Sequence, residues 1–272
     1  MVGSYNTKKM NVAEKVKKNY TLYIALIAIM VLGNFTVFLP RETFLALTVE
    51  DGPFENVAAI MLGLTAVLFF VLFFNKNKFY KTEDKAYFST KSRRVFFLLL
   101  GLLFIVLLGE EISWGQRILG FETPENIEKR NIQNEFNFHN LDVFHLRTEK
   151  LDSETGDTSR KTGLAFWLTA KKLFIYTFVT YLFLIPLGVR VSEAFRNLTR
   201  RFYLPVPMME LGILFILDVI LFKAFKPFAS EGTSMMRGLA EVEEFNFALI
   251  LFMLPFIWIG MPLKKFPLSK II

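Results

Sequence analysis

The chain has 272 residues, of which 53% are hydrophobic, and its 32 phenylalanines and mean hydropathy of +0.39 exceed what one soluble core of this length needs. The formal charge of +7 comes from basic residues clustered beside the apolar runs, which indicates membrane topology signals and argues against nucleic acid as a partner. Because the chain contains no cysteine, disulfides, thiolate metal sites and cysteine nucleophiles are excluded. The composition predicts an integral membrane protein whose partners are membrane lipids.

Apolar segments of span length recur along the chain. A bilayer core of about 30 Å requires about 20 apolar residues per helix. Six segments approach this length and predict an all-α, polytopic transmembrane helix bundle: 20–40, 54–75, 94–112, 172–190, 205–226 and 244–262. The first follows 19 polar and basic residues and lacks a cleavage site, so it is expected to remain as an anchor. No repeat or linker divides the sequence, which predicts a single domain, 1–272.

Lysine and arginine alternate between the two sides of the predicted spans. The N-terminus, residues 76–94, residues 190–201 and the C-terminal tail carry five, seven, four and three of them. The short connections between them carry four in total: Arg41, Lys223, Lys226 and Arg237. The positive-inside rule then places both termini in the cytoplasm, and parity places the long polar loop 113–171 on the other face. We predict a multi-pass cell-membrane protein of the bacterial inner-membrane type.

The motif GEEISWGQR (109–117) ends the third predicted span. Acids at a helix C-terminus oppose its dipole and are costly near a bilayer core, so Glu110 and Glu111 need compensation. If the helix continues to residue 117, Glu110, Ser113 and Arg117 share a face, which predicts a structural ion pair. Since Arg117 satisfies only one acid well, a catalytic or ligand role for these acids is the competing interpretation.

Residues 131–145 hold both histidines of the chain among amides and acids. Polar and apolar residues alternate from Asn131 to His139, so an extended segment would turn its polar side chains to one face. His139, Asp142 and His145 follow at a spacing suited to imidazole–carboxylate pairing or divalent-metal ligation. The alternative is a buried amide network that fastens the long loop to the membrane domain.

The strings GEEISWGQR and NIQNEFNFHN, joined by a Pro-containing linker at 121–124, resemble a pattern of bacterial multi-span membrane proteins whose activity is uncharacterised. The resemblance covers about residues 109–141, with a weaker echo in Glu50-Asp51-Gly52, and it implies no named activity. The sequence contains no Walker loop, HExxH zincin motif or nucleophile elbow, which argues against those enzyme classes.

The acids at the start of the second predicted span have two candidate roles, helix capping and function. Gly52, Pro53 and Glu55 predict a well-capped helix start, which leaves Glu50 and Asp51 unexplained.

Other acids lie in or beside the last two predicted spans. Asp218 lies inside the fifth, where an acid is a functional-site hypothesis by default, and it is expected to face the bundle. Glu241, Glu243 and Glu244 lie at the start of the last, where acids suit the helix dipole, so they are interpreted as mostly structural, with Glu244 the deepest and the expected exception.

Three functions compete on these observations. The first is an enzyme acting on a lipid or lipid-linked substrate at the non-cytoplasmic face. Its catalytic candidates are Glu110, Glu111, His139 and Asp142. Its substrate-binding candidates are Arg117, Gln116, Asn137, Asn140, Glu50 and Asp51. A divalent metal ion as cofactor would have as candidate ligands Glu111, His139, Asp142 and His145. The second function is a transporter or lipid translocator that uses Asp218 and the face glutamates, and the third is a non-catalytic scaffold or assembly factor.

Overall fold

A computed structural model describes residues 12–49, 51–74, 91–131, 134–138, 141, 169–202, 204–229 and 233–259. Within these ranges every regular element is a helix, and an isolated antiparallel bridge joins Asn131 to Leu141. The prediction of an all-α protein is confirmed for this part of the chain.

The helices fall on either side of the long loop. Before it are α1 (Val12–Phe35), α2 (Arg41–Thr48), α3 (Pro53–Phe74), α4 (Lys91–Glu111), α5 (Gln116–Leu119) and α6 (Glu125–Glu128). After it are α7 (Ala170–Val179), α8 (Ile185–Val191), α9 (Glu193–Arg201), α10 (Met209–Phe225), α11 (Thr233–Phe252) and α12 (Phe256–Ile259). Tight helical turns cover Thr36–Phe38, Ser113–Gly115 and Lys226–Ala229, and a π-helical segment, Thr180–Leu184, joins α7 to α8.

Three helical stretches of the described chain are long and apolar enough to cross a membrane: Arg41–Phe74, Ala170–Val191 and Ser234–Ile259. Tyr23–Phe38 forms a shorter apolar helix. The start of α3 follows the predicted capping pattern, since Pro53 is its first residue and Glu55 Oε2 accepts a hydrogen bond from Asp51 N at 2.5 Å.

The last long helix begins at Thr233, so the interpretation of Glu241, Glu243 and Glu244 as acids at a helix start is wrong. The early turns of α11 pack against α2: a Cβ on Gly238 would lie 2.4 Å from Thr48 Oγ1 and 2.7 Å from Phe44 Cε1. Leu239 is fully buried there. Charged residues just before residue 244 therefore lie along a buried helix and not at its exposed start.

A proline explains the π-helical segment. Pro186 has no N–H to donate to the carbonyl of Leu182, and its ring would crowd that carbonyl in a regular α-helix, so the preceding turn widens. α10 approaches this turn at Gly212, where a Cβ would lie 2.4 Å from Leu182 O. Only glycine allows this close contact between the two helices.

Aromatic rings join α7, α10 and α11. Phe215 and Phe247 stack with centroids 4.5 Å apart and an interplanar angle of 16°, and Phe174 lies 5.4 Å from Phe247. Phe215 is fully buried. This aromatic core fixes the three helices that carry the buried charges described below.

Candidate functional site

The GEEISWGQR motif does not form one continuous helix, which corrects the expectation that Glu110, Ser113 and Arg117 share a helical face. α4 ends at Glu111, and the next residues take left-handed backbone angles, with φ of 46° at Ser113, 52° at Trp114 and 78° at Gly115. Such angles are uncommon for residues other than glycine, particularly a bulky one such as Trp114. The chain therefore turns sharply at the end of α4, and the Arg117 side chain lies outside the described residues.

Glu110 is compensated by the turn itself. Its Oε1 accepts a hydrogen bond from Trp114 Nε1 at 2.7 Å, and its Oε2 accepts one from Phe138 N at 2.8 Å. The Trp114 ring packs on Gly109, where a Cβ would lie 2.9 Å from the ring. A neutral indole N–H and a backbone N–H thus contribute to the compensation of Glu110, and the predicted ion pair with Arg117 stays a prediction.

Gln116 ties the same turn to the second motif. Its Nε2 donates to Thr123 Oγ1 at 2.7 Å, and its Oε1 accepts from Phe136 N at 2.7 Å. Thr123 in turn donates to Asn134 O at 2.8 Å. Asn134 has a φ of 61°, so the segment is bent and not extended throughout as the alternation suggested.

Two buried asparagines complete the contact between the motifs. Asn131 Nδ2 donates to Asn137 O and Oδ1, each at 2.9 Å, and Asn137 Nδ2 donates to Ser113 Oγ at 3.1 Å and to Glu135 Oε2 at 2.9 Å. Ser113 Oγ donates to the same Glu135 oxygen at 2.5 Å. We call this set the loop network: Glu110, Ser113, Gln116, Asn131, Glu135 and Asn137.

The loop network brings together three of the predicted site residues, Glu110, Gln116 and Asn137. Their side chains are engaged in holding the loop, which favours the fastening alternative for these three. The other candidates from the motifs lie outside the described residues: Glu50, His139, Asn140, Asp142 and His145. Among the residues that the structure describes, no group of three or more His, Asp or Glu is placed to hold a metal ion. The divalent-metal hypothesis stays a prediction.

Glu111 points elsewhere. It interacts electrostatically with Glu244 of α11 and Glu55 of α3, so acids from three helices face one another at this end of the bundle. Asp51 contributes its backbone N–H to Glu55 and has a φ of 60°, so its described role is in the turn before α3.

A second polar site lies between α10 and α11. Asp218 is fully buried, as expected for an acid that faces the bundle, and its Oδ1 accepts a hydrogen bond from Asn246 Nδ2 at 2.7 Å. Asn246 is also fully buried. An ionised carboxylate removed from water is costly unless it is paired and hydrogen-bonded, so this acid requires more than one amide contact.

An ion pair lies one helical turn away. Lys171 of α7 pairs with Glu243, whose side chain is 1% exposed, while the lysine side chain is 40% exposed. Lys171 Nζ also lies 4.3 Å from the centroid of the Phe222 ring. Asp218 is within electrostatic range of both members of this pair.

The register of two helices creates this arrangement. Asp218 and Phe222 lie four apart on α10, and Glu243 and Asn246 lie three apart on α11, so each pair shares a helix face. Because the two helices are antiparallel, Asp218 meets Asn246, and Phe222 and Glu243 meet at Lys171.

α1 closes the site from another side. Asn34 is 1% exposed and donates from Nδ2 to Met30 O at 2.9 Å. At its neighbour Gly33, a Cβ would lie 3.6 Å from Asn246 Oδ1. We call the full set the buried cluster: Asn34, Lys171, Asp218, Glu243 and Asn246.

Glu243 Oε2 is paired with Lys171, and three other oxygens of the buried cluster lack a hydrogen-bond partner among the residues that the structure describes: Asn34 Oδ1, Asp218 Oδ2 and Asn246 Oδ1. Buried polar atoms are nearly always satisfied, so each such atom calls for an explanation. An acid oxygen beside amide oxygens in a dry site can accept a proton or a small cation.

Sequence reasoning found Asp218 and missed the other members of the buried cluster. Glu243 was assigned to a helix start, and Glu244 was considered the deeper residue; Glu243 is buried, and Glu244 is partly exposed. The available signal was the spacing of Glu243 and Asn246, which puts two polar groups on one face of an apolar helix. Lys171, just before a span, gave no comparable signal.

Comparisons of the chain with protein-family models, with curated proteins and with solved structures found no match.

Proposed function

We propose that the protein is a multi-pass membrane transporter or lipid translocator, in which Asp218 takes up and releases a proton or small monovalent cation. The observation that carries this proposal is the unpartnered Asp218 Oδ2 in a fully buried position. Acids inside membrane helices are expensive, and they commonly belong to ion pathways or proton relays.

The net charge of the buried cluster indicates how many protons or cations it binds. Lys171 and Glu243 compensate each other, so an ionised Asp218 leaves the cluster with one net negative charge. One proton or one monovalent cation neutralises that charge, whereas a divalent ion would leave an excess. Asp218 Oδ2 and the neighbouring Asn246 Oδ1 are free to contact the bound proton or cation.

The helix that carries Lys171 has a feature that suits motion. The π-helical segment Thr180–Leu184 interrupts its span, and the contact of Gly212 with Leu182 O gives a smooth surface on which the two helices can slide. A proton or cation bound at Asp218 neutralises the carboxylate charge near Lys171. We propose that this couples the ion to a shift of α7 against α10.

A six-span topology accommodates the helices as one membrane domain. We propose that α1, α3, α4, α7–α8, α10 and α11–α12 span the membrane, with both termini in the cytoplasm of a bacterial inner membrane. The exposed apolar side chains of α4, for example Leu99 and Leu102, suit a lipid-facing surface. The alternation of Lys and Arg in the connections supports the orientation.

Proton flux through proteoliposomes tests the proposal. The full chain is reconstituted with a trapped pH-sensitive dye, a pH step is imposed, and the decay is compared for wild type, Asp218→Asn and Glu210→Gln. Glu210 is a matched control, because it is a buried acid on the same helix outside the cluster. We expect flux in wild type and in the control, and a loss of about ten-fold or more with Asp218→Asn, because an asparagine side chain cannot take up and release a proton. Equal flux with Asp218→Asn contradicts a proton role, and the same assay with a sodium gradient then decides the cation role.

The lipid enzyme is a second candidate because of one contact. Phe138 N donates to Glu110 Oε2, so the chain enters residue 139 beside the end of α4. In that case His139→Asn and Glu111→Gln, both in folded protein, would change cellular lipid composition, whereas Asp218→Asn would not. An unchanged lipid composition with both variants removes this candidate.

A further inference from the structure

α9 is a short amphipathic helix attached directly to a membrane span. It follows the stretch Ala170–Val191 after a single residue, Ser192, whose Oγ accepts a hydrogen bond from Phe195 N at 3.2 Å and caps the helix. Its first turn carries Glu193, and its last turn carries Arg200 and Arg201, which suits the helix dipole.

The helix is held beside the end of the span. Arg196 Nε donates to Val189 O at 3.1 Å, and a Cβ on Gly188 would lie 2.8 Å from Phe195 Cδ1, so Phe195 packs on the last turn of α8. Beyond α9, Pro205 O accepts a hydrogen bond from Tyr181 Oη at 3.0 Å. The first turns of α9 and Pro205, four residues after its end, are thus hydrogen-bonded to the same span, which keeps the helix beside that span.

The two faces of α9 differ in chemistry. Phe195, Leu198 and Phe202 share one face by their spacing, and Leu198 and Phe202 are 47% and 59% exposed. Val191, at the end of the span, is 75% exposed. The exposed Arg200 lies on the opposite face, and the exposed Arg201 lies at the edge of the apolar face.

We propose that α9 lies in the membrane interface and binds anionic phospholipid, with Leu198 and Phe202 in the acyl region and Arg190, Arg200 and Arg201 on the headgroups. The segment 190–201 has four arginines and one glutamate, so its charge of +3 complements an acidic lipid surface. The exposed apolar face of α9 is stabilised when it is removed from water. A helix held beside a membrane span can bury this face in lipid.

Two spin labels measure the position of the helix in the full chain. Because the chain has no cysteine, Asn197→Cys and Leu198→Cys each give one nitroxide, the first on the polar side of the helix and the second on its apolar side. In nanodiscs of phosphatidylglycerol we expect the label at 198 to be accessible to oxygen and shielded from a water-soluble relaxant, and the label at 197 to show the reverse. Equal exposure of both labels to the water-soluble relaxant overturns the proposal.

Native mass spectrometry of the full chain in detergent measures the lipid preference. Each arginine near an anionic surface strengthens binding about five-fold, so Arg200→Gln with Arg201→Gln should weaken phosphatidylglycerol binding about 30-fold. Lys129→Gln with Arg130→Gln is the matched control, a pair of basic residues directly after α6 that should leave binding unchanged. Equal affinity for phosphatidylcholine, or an unchanged affinity in the α9 double variant, contradicts the proposal. The outcome is independent of proton flux, which Asp218 controls.

Discussion

The loop network and the buried cluster are both rich in acids and amides, but they differ in how their hydrogen bonds are met. In the loop network each carboxylate and amide described above has a partner within the loop: Glu110 binds two N–H groups, and Asn137 binds a serine and a glutamate. In the buried cluster three oxygens have none among the described residues. A network in which every polar group is hydrogen-bonded makes a fold rigid, whereas unpaired oxygens in a buried site can bind a proton or a cation.

The largest effect on stability is expected from Glu243→Ala. Breaking a buried ion pair leaves a charge without its partner and costs about 3 kcal/mol, the low end of the usual range, because Lys171 is partly exposed. Unfolding in mixed micelles measures the change in free energy. The double variant Lys171→Met with Glu243→Leu should recover most of the loss, and a loss that equals that of Glu243→Ala would contradict this explanation.

A smaller effect is expected in the loop network from Asn131→Ala. The substitution removes both bonds to Asn137 and leaves buried polar atoms unsatisfied, which costs about 2 kcal/mol. Hydrogen exchange at residues 134–138 should accelerate, while exchange in α10 and α11 should not. If the core helices exchange faster as well, the loop is coupled to the bundle more strongly than its contacts indicate.

Trp114→Phe should have a modest effect. The substitution deletes the hydrogen bond from Nε1 to Glu110 and keeps most of the ring on Gly109, so about 1 kcal/mol is expected. Thermal unfolding measures it. In combination with Glu110→Gln the losses should be less than additive, because both changes remove the same contact; strict additivity would show that the contact contributes little.

The smallest effect on stability, about 0.5 kcal/mol or less, is expected from Asp218→Asn, since a neutral isostere removes a buried charge without creating a cavity. Its effect on transport is the largest of the four. Unfolding and flux measured on the same preparation test this separation, and a large loss of stability with unchanged flux would assign Asp218 a structural role.

The sequence predicts the helical class and the polar turn after α4, because apolar length and dipole cost are local properties. The third apolar segment, predicted at 94–112, ends within one residue of the end of α4 at Glu111. The sequence does not predict the left-handed backbone of the turn, since Ser113 and Trp114 adopt angles that only Gly115 would suggest. The turn is imposed by contacts to Glu135 and Phe138, more than twenty residues away.

The buried cluster shows the same limit more strongly. Its five members come from four helices, so no window of sequence contains them together. The misplaced start of α11 concealed Glu243, because the helix dipole offered a sufficient explanation for an acid at a start. The packing of α2 on Gly238 extends α11 and buries Glu243. No local sequence pattern predicts this packing.

The π-helical segment gives the chain a dependence on register. One extra residue in a helical turn rotates everything before it by about 100° relative to everything after it. The ion pair between Lys171 and Glu243 is formed in the presence of that rotation. Deletion of one residue between 180 and 184 would therefore restore a regular α-helix and rotate Lys171 away from Glu243. The number of residues in this segment, and not only its composition, is therefore under constraint.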